Sequence, residues 1–85
     1  MRTIETKVIE IRWFAAYREA AGMATETAHT DAGTAAELFA EMKLKHPALA
    51  PYSAALLAIN DEMADWSRAL KDGDEVLFFP PVAGG

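Results

Sequence analysis

The stretch Thr34–Pro47, TAAELFAEMKLKHP, carries the clearest element of the chain. Thr34-x-x-Glu37 is a capping box, in which the hydroxyl and the carboxylate each satisfy an orphan backbone N–H at a helix start. Ala35, Leu38, Phe39 and Met42 follow at i, i+3, i+4 and i+7, an apolar stripe along one face of a 3.6-residue period, and Glu41, Lys43 and Lys45 are placed toward water. Pro47 disfavours helical geometry at the residue before it, so the helix ends at His46.

On the N-terminal side of this helix the period changes to two. From Val8 to Phe14, Ile9, Ile11 and Trp13 alternate with Glu10 and Arg12, the pattern of a half-buried strand, with Phe14 falling on the polar face. Ala15–Met23, AAYREAAGM, reads as a turn or short helical bend stopped by Gly22, and Ala24–Thr30 follows as a second strand.

On the C-terminal side, Pro47 and Pro51 bracket a compact turn. Leu56–Asn60 reads as a buried strand ending in an Asn60-Asp61 turn, and Met63–Trp66 as a short returning strand. Leu70–Asp74 is a turn built on Asp-Gly, leading into a strand Glu75–Phe79 that Pro80 and Pro81 close, since proline cannot donate to a sheet ladder. The order β, β, α, β, short β, β predicts an α+β two-layer fold of the β-grasp, or ubiquitin-like, kind: a mixed sheet packed on one main helix.

Eighty-five residues make one domain, spanning 1–85, with a flexible tail expected from about residue 80. A chain this small buries only about 60–65% of its unfolded surface, which leaves room for one modest core. Hydrophobic residues at 52% and charged residues at 25% are ordinary globular usage and argue against intrinsic disorder. No stretch approaches the roughly 20 apolar residues of a membrane helix, so a cytoplasmic location is expected. Eight basic against thirteen acidic residues, a net charge of −5, argues against nucleic acid and favours a basic protein partner. There is no cysteine, so any sulfur handled here cannot sit on a thiol side chain.

After Pro81 come only Val82, Ala83, Gly84 and Gly85. Two glycines at a chain end arise by chance in about 0.5% of chains at ordinary glycine usage. Lacking Cβ atoms, they can thread a narrow channel and let another protein's catalytic groups approach the terminal carboxylate. The bland alternative is a frayed terminus.

Strand parity points to a docking surface beside that tail. If Ile9, Ile11 and Trp13 point inward, Phe14 points out; if Val76 and Phe78 point inward, Leu77 and Phe79 point out. Phe14, Leu77 and Phe79 then share the outer face, with Met63 extending the cluster, unless a loop or the tail covers them.

Taken together, the segments Trp13–Gly22 (WFAAYREAAG), Ala58–Asn60 (AIN), Leu70–Val76 (LKDGDEV) and Phe78–Gly85 (FFPPVAGG) resemble the small subunits of molybdopterin synthase, in the MoaD/ThiS family of ubiquitin-like sulfur carriers. The likeness runs in order and spacing from about Val8 to the last residue, and FFPPVAGG is its specific element. The resemblance implies that a ubiquitin-activating-type enzyme adenylates the Gly85 carboxylate with ATP. Sulfur from a donor such as a cysteine desulfurase or rhodanese then replaces AMP. The Gly85 thiocarboxylate, with Gly84 beside it, enters the large synthase subunit and gives its sulfur to cyclic pyranopterin monophosphate on the way to molybdopterin. It further implies a heterotetramer with the large subunit, a partner surface of Phe14, Met63, Leu77, Phe79, Pro80, Pro81, Val82 and Ala83, no cofactor or metal bound by this chain, and no catalytic residues beyond the tail.

Other residues read more blandly. His29 and His46 lack a third ligand at metal-like spacing and are expected on the surface. Asp72-Gly73-Asp74 is too short for a calcium loop, which needs about twelve residues, and Trp13 and Trp66 are expected to pack in the core or the hairpin. Two alternatives stay open: a carrier for thiazole, cysteine or tRNA thiolation, or a ubiquitin-like modifier, on one side, and a passive interaction module with an inert tail on the other.

Overall fold

The computed structural model describes residues 6–49 and 56–79. Their order is β1 (Lys7–Trp13), α1 (Ala16–Ala21), β2 (Thr25–Thr30), α2 (Ala35–Lys45), a 3-10 turn (Pro47–Leu49), β3 (Leu56–Ile59), β4 (Glu62–Ala64) and β5 (Glu75–Phe79). The five strands form one sheet in the order β2-β1-β5-β3-β4. β1 and β5 run parallel at its centre and every other pair is antiparallel. With α2 as its one long helix, this is the mixed β-grasp sheet that the sequence predicts.

The alternation in β1 survives in the structure: Ile9, Ile11 and Trp13 are buried, while Val8, Glu10 and Arg12 are not. They meet Val76 and Phe78 of β5, Leu57 and Ile59 of β3, and the α2 stripe Ala35, Leu38, Phe39 and Met42. The centre is aromatic. The Trp13 and Phe78 rings stack at 5.3 Å, Phe78 and Trp66 at 5.8 Å, and Phe39 lies 5.0 Å from Phe78 and 5.7 Å from Tyr17. Each fully buried large side chain contributes about 1.5–3 kcal/mol, so these few rings account for much of the cohesion of so small a domain.

The start of α2 is more thoroughly tied than a capping box alone provides. The Thr34 hydroxyl accepts from the Glu37 N–H at 3.2 Å, but the Glu37 carboxylate takes the Gly33 N–H at 2.9 Å instead of that of Thr34. The two remaining first-turn donors, the N–H groups of Ala35 and Ala36, reach the carbonyls of Arg68 and Trp66. The segment before β5 thereby closes the helix end. At the other end His46 is the C-cap, as Pro47 requires.

Three expectations need correction. The returning strand covers Glu62–Ala64 and stops before Trp66, whose ring turns inward onto Phe39 and Phe78. β3 ends at Ile59, because Asn60 and Asp61 both take positive φ (52° and 70°) and form the two-residue hairpin turn. The polar face of α2 is not simply hydrated: Glu41 accepts from the Thr30 hydroxyl at 2.6 Å, Lys43 lies 5.3 Å over the Phe39 ring, and Lys45 pairs with Glu26. The bend after Phe14 is a short helix, α1, stopped by Gly22 in the left-handed region at φ 78°.

Candidate functional site

The parity of β5 builds the outer face. Val76 and Phe78 are buried against α2, so Leu77 and Phe79 stand on the other side, each half-buried. Register fixes their neighbours: Ala58 and Arg12 flank Leu77, and Leu56 lies opposite Phe79. Met63 pairs with Ala58 and joins the same face.

Phe14 arrives by a different route. It lies just past β1, and Ala15 behind it takes φ 51° and ψ −125°, a conformation that suits glycine at the first corner of a type II′ turn. This turn leaves the Phe14 ring 4.9 Å from that of Phe79. Strain of this kind in a non-glycine residue is stored mainly at functional positions.

The structure therefore brings together Phe14, Leu77, Phe79 and Met63, the four expected docking residues among those described. Sequence reasoning missed Leu56, which is 52% exposed beside a Met63 that is 62% exposed. The run Leu56–Ile59 looks uniformly apolar, yet a period of two from the buried Leu57 and Ile59 puts Leu56 outside. Ala58, on that same outer face, is buried beneath its larger neighbours. The remaining expected site residues, Pro80, Pro81, Val82, Ala83, Gly84 and Gly85, lie outside the described residues. The rim is weakly charged: Arg12 and Glu75 approach at 3.9 Å, both substantially exposed, an arrangement worth little in water.

A second polar cluster lies on the inner side of the sheet and is separate from this face. Glu26 of β2 is buried, and its Oε1 accepts from the Trp13 indole N–H at 3.1 Å and lies 2.8 Å from His46 Nε2. Its Oε2 forms an ion pair with the Lys45 ammonium at 2.5 Å. Burial pushes the Glu26 carboxyl up, but Lys45, His46 and Trp13 outweigh it and hold the group below its ordinary value. His46 is thus not the surface residue its sequence suggested. Its ring is mostly covered and meets the Trp13 ring edge-on, whereas His29 is exposed as expected.

A third set of polar groups shapes the turns. Asn60 donates to Asp74 Oδ1 at 2.9 Å and accepts the Glu75 N–H at 3.0 Å, and its own N–H reaches the Glu75 carbonyl at 2.8 Å. Asp72 accepts the Val8 N–H at 2.7 Å, and Asp74 Oδ2 accepts that of Lys71 at 2.8 Å. Every acidic group of the Lys71–Asp74 turn is thus engaged with the protein itself. Among the described residues no three His, Cys, Asp or Glu side chains are grouped as for a metal ion.

Comparison with known proteins decides the family. The ThiS family matches residues 11–85. The chain belongs to the ThiS family. Among ThiS relatives, the chain is 42% identical over 82 residues to the molybdopterin synthase sulfur carrier subunit of Escherichia coli, covering 92% of this chain and all of that one. It is 38% identical over 81 residues to the subunit of the same name from Chlamydomonas reinhardtii, covering 91% and 98%. Two solved structures are similar to it in fold. SAMP1 from Haloferax volcanii superposes with a TM-score of 0.78 at 31% identity, over 92% of this chain and 99% of that one. The protein–protein complex of subunits 1 and 2 of the molybdopterin-converting factor from Helicobacter pylori 26695 matches with a TM-score of 0.60 at 30% identity, again over 92% and 99%. In this ThiS-family chain no helix among the described residues is long and apolar enough to cross a membrane.

Proposed function

We propose that this chain is the sulfur-carrier subunit of a molybdopterin synthase, and that its chemistry is confined to the tail that follows β5. The likeness to carrier subunits of that name over nine-tenths of the chain carries the reading. The exposed apolar cluster from which β5 leads into Pro80–Gly85 supports it. A carboxylate is a poor acyl electrophile. The Gly85 carboxylate therefore attacks the α-phosphate of ATP on an activating enzyme, forming an acyl-adenylate and releasing pyrophosphate. A persulfide on a donor protein displaces AMP to give an acyl disulfide, and a second donor thiol attacks the donor's sulfur, leaving a disulfide on the donor and a thiocarboxylate at Gly85. In the large subunit that sulfur attacks the pterin precursor to form a thioester link, and water hydrolyses the acyl–sulfur bond, so that the sulfur stays on the pterin and the carrier leaves with its carboxylate restored. Two sulfurs per dithiolene require two such turnovers. The chain needs no side-chain catalyst and binds no cofactor, ATP being held by the activating enzyme, and it works in the cytoplasm.

Phe14, Leu77, Phe79, Met63 and Leu56 dock against the large subunit while Pro80–Gly85 reach its active site, one carrier at each end of a dimer of large subunits. The H. pylori complex of two subunits supports a stable pairing of this type. A ubiquitin-like modifier is the second reading, favoured by the likeness to SAMP1. Capture from the native organism through a tag at Met1, with Gly85 free, separates the two. Recovery of a molybdopterin synthase large subunit supports the first, and conjugates in which Gly85 is joined to lysines support the second.

A further inference from the structure

The β3–β4 hairpin carries a shallow open groove on the flank of the docking face, lined by Leu56, Met63, Ala64, Asp65 and Arg68. Leu56 and Met63 belong to both surfaces, so the apolar face runs without a break from Phe79 around the hairpin into the groove. Leu56, Met63 and Ala64 give it an apolar side, and the exposed Asp65 and Arg68 give it a charged one. Arg68 is 3.9 Å from Glu62. Among the described residues Asp65 has no ion-pair partner. Its carboxylate is not part of the turn networks that occupy Asp72 and Asp74.

Charge complementarity and continuity with the docking face identify the occupant. An apolar side with one spare carboxylate suits a side chain that lays an aliphatic stem on Leu56 and Met63 and presents a cation to Asp65, which is the anatomy of lysine and arginine. The chain's net charge of −5 favours the same sign of partner at long range. We propose that this groove seats a segment of the synthase large subunit in which a lysine or arginine stands beside an apolar residue, so that the hairpin extends the docking surface and steers association. The inference rests on the carrier-subunit reading.

The test uses the full chain and the large subunit encoded by the same organism, with association and dissociation followed separately at low and high salt. Asp65→Lys reverses a charge that holds no structural bond. Asp31→Lys makes the same change in net charge at an exposed position beyond β2, at the opposite edge of the sheet. The expected result is that Asp65→Lys slows association about tenfold at low salt and flattens its salt dependence, while Asp31→Lys has a much smaller effect. Met63→Asp is expected to speed dissociation, with both variants melting close to the wild type. Equal slowing by Asp65→Lys and Asp31→Lys reduces the effect to net charge and overturns the groove. So does wild-type behaviour of Asp65→Lys in a chain that binds the large subunit. A wild-type chain with no affinity for the large subunit overturns the carrier-subunit reading itself, and the groove's occupant with it.

Discussion

Phe79 is the last described residue of β5, with its ring 4.9 Å from Phe14 and only part of its surface covered. Because Phe78 beside it fills the core, Phe79 is left on the outer face proposed for docking. Phe79→Asp is expected to abolish capture of the large subunit, read by pull-down, while the circular-dichroism melt stays near that of the wild type. Glu26 is the reverse case, a charged residue that serves the fold. Its carboxyl holds its proton less readily when folded than when unfolded, so its stabilising contribution is present above the ordinary value of 4.5 and is lost as the pH falls through the lower folded value. Glu26→Ala leaves the Trp13 indole N–H without its acceptor and is expected to cost about 1–3 kcal/mol at neutral pH. Denaturant unfolding of both chains along an acid series checks this, and the difference between them should shrink as Glu26 protonates. An unchanged difference across the series would mean that packing, not charge, makes Glu26 important.

Among the elements, the β3–β4 hairpin depends most on one side chain. Asn60 closes the turn at φ 52° and also joins it to Glu75, the first residue of β5, through two hydrogen bonds and to Asp74 just before it through a third. Asn60→Gly keeps the backbone conformation and removes the side-chain bonds, and is expected to lower stability by about 1–3 kcal/mol in chemical denaturation. Asn60→Ala should cost more, since it also disfavours positive φ. The strands and α2 were legible because their information is local: a period of two in Val8–Phe14, a cap at Thr34, a proline after His46. The outer position of Leu56 was not, because an apolar run of four hides its parity until β5 fixes the register. Nor was the covered state of His46, which follows from Glu26, twenty residues earlier in sequence and 2.8 Å away in space. The carbonyls of Trp66 and Arg68 that cap α2 were equally hidden, because backbone groups leave no mark in the sequence.

For the molecule as a whole, the proposed division of labour is between a core that supplies rigidity and a tail that supplies chemistry. The aromatic stack of Trp13, Phe78 and Trp66 fixes β5, β5 presents Leu77 and Phe79 on its outer face, and the chain continues from there to Gly85. The candidate docking face was largely readable from strand parity. The proposed reactive end, which lies outside the described residues, rests only on its residue types and on the resemblance that FFPPVAGG carries. Deleting Gly85 is expected to leave the melting curve unchanged and to abolish sulfur loading, measured by intact-mass analysis after incubation with ATP, the activating enzyme and a sulfur donor. The most direct test of the account is that intact mass for the wild-type chain isolated from its native organism with Gly85 free. The account predicts a fraction heavier by the exchange of one oxygen for sulfur, mapped to Gly85 by fragmentation and absent from the deletion variant. A chain that stays wholly unmodified in cells actively making molybdopterin would contradict it.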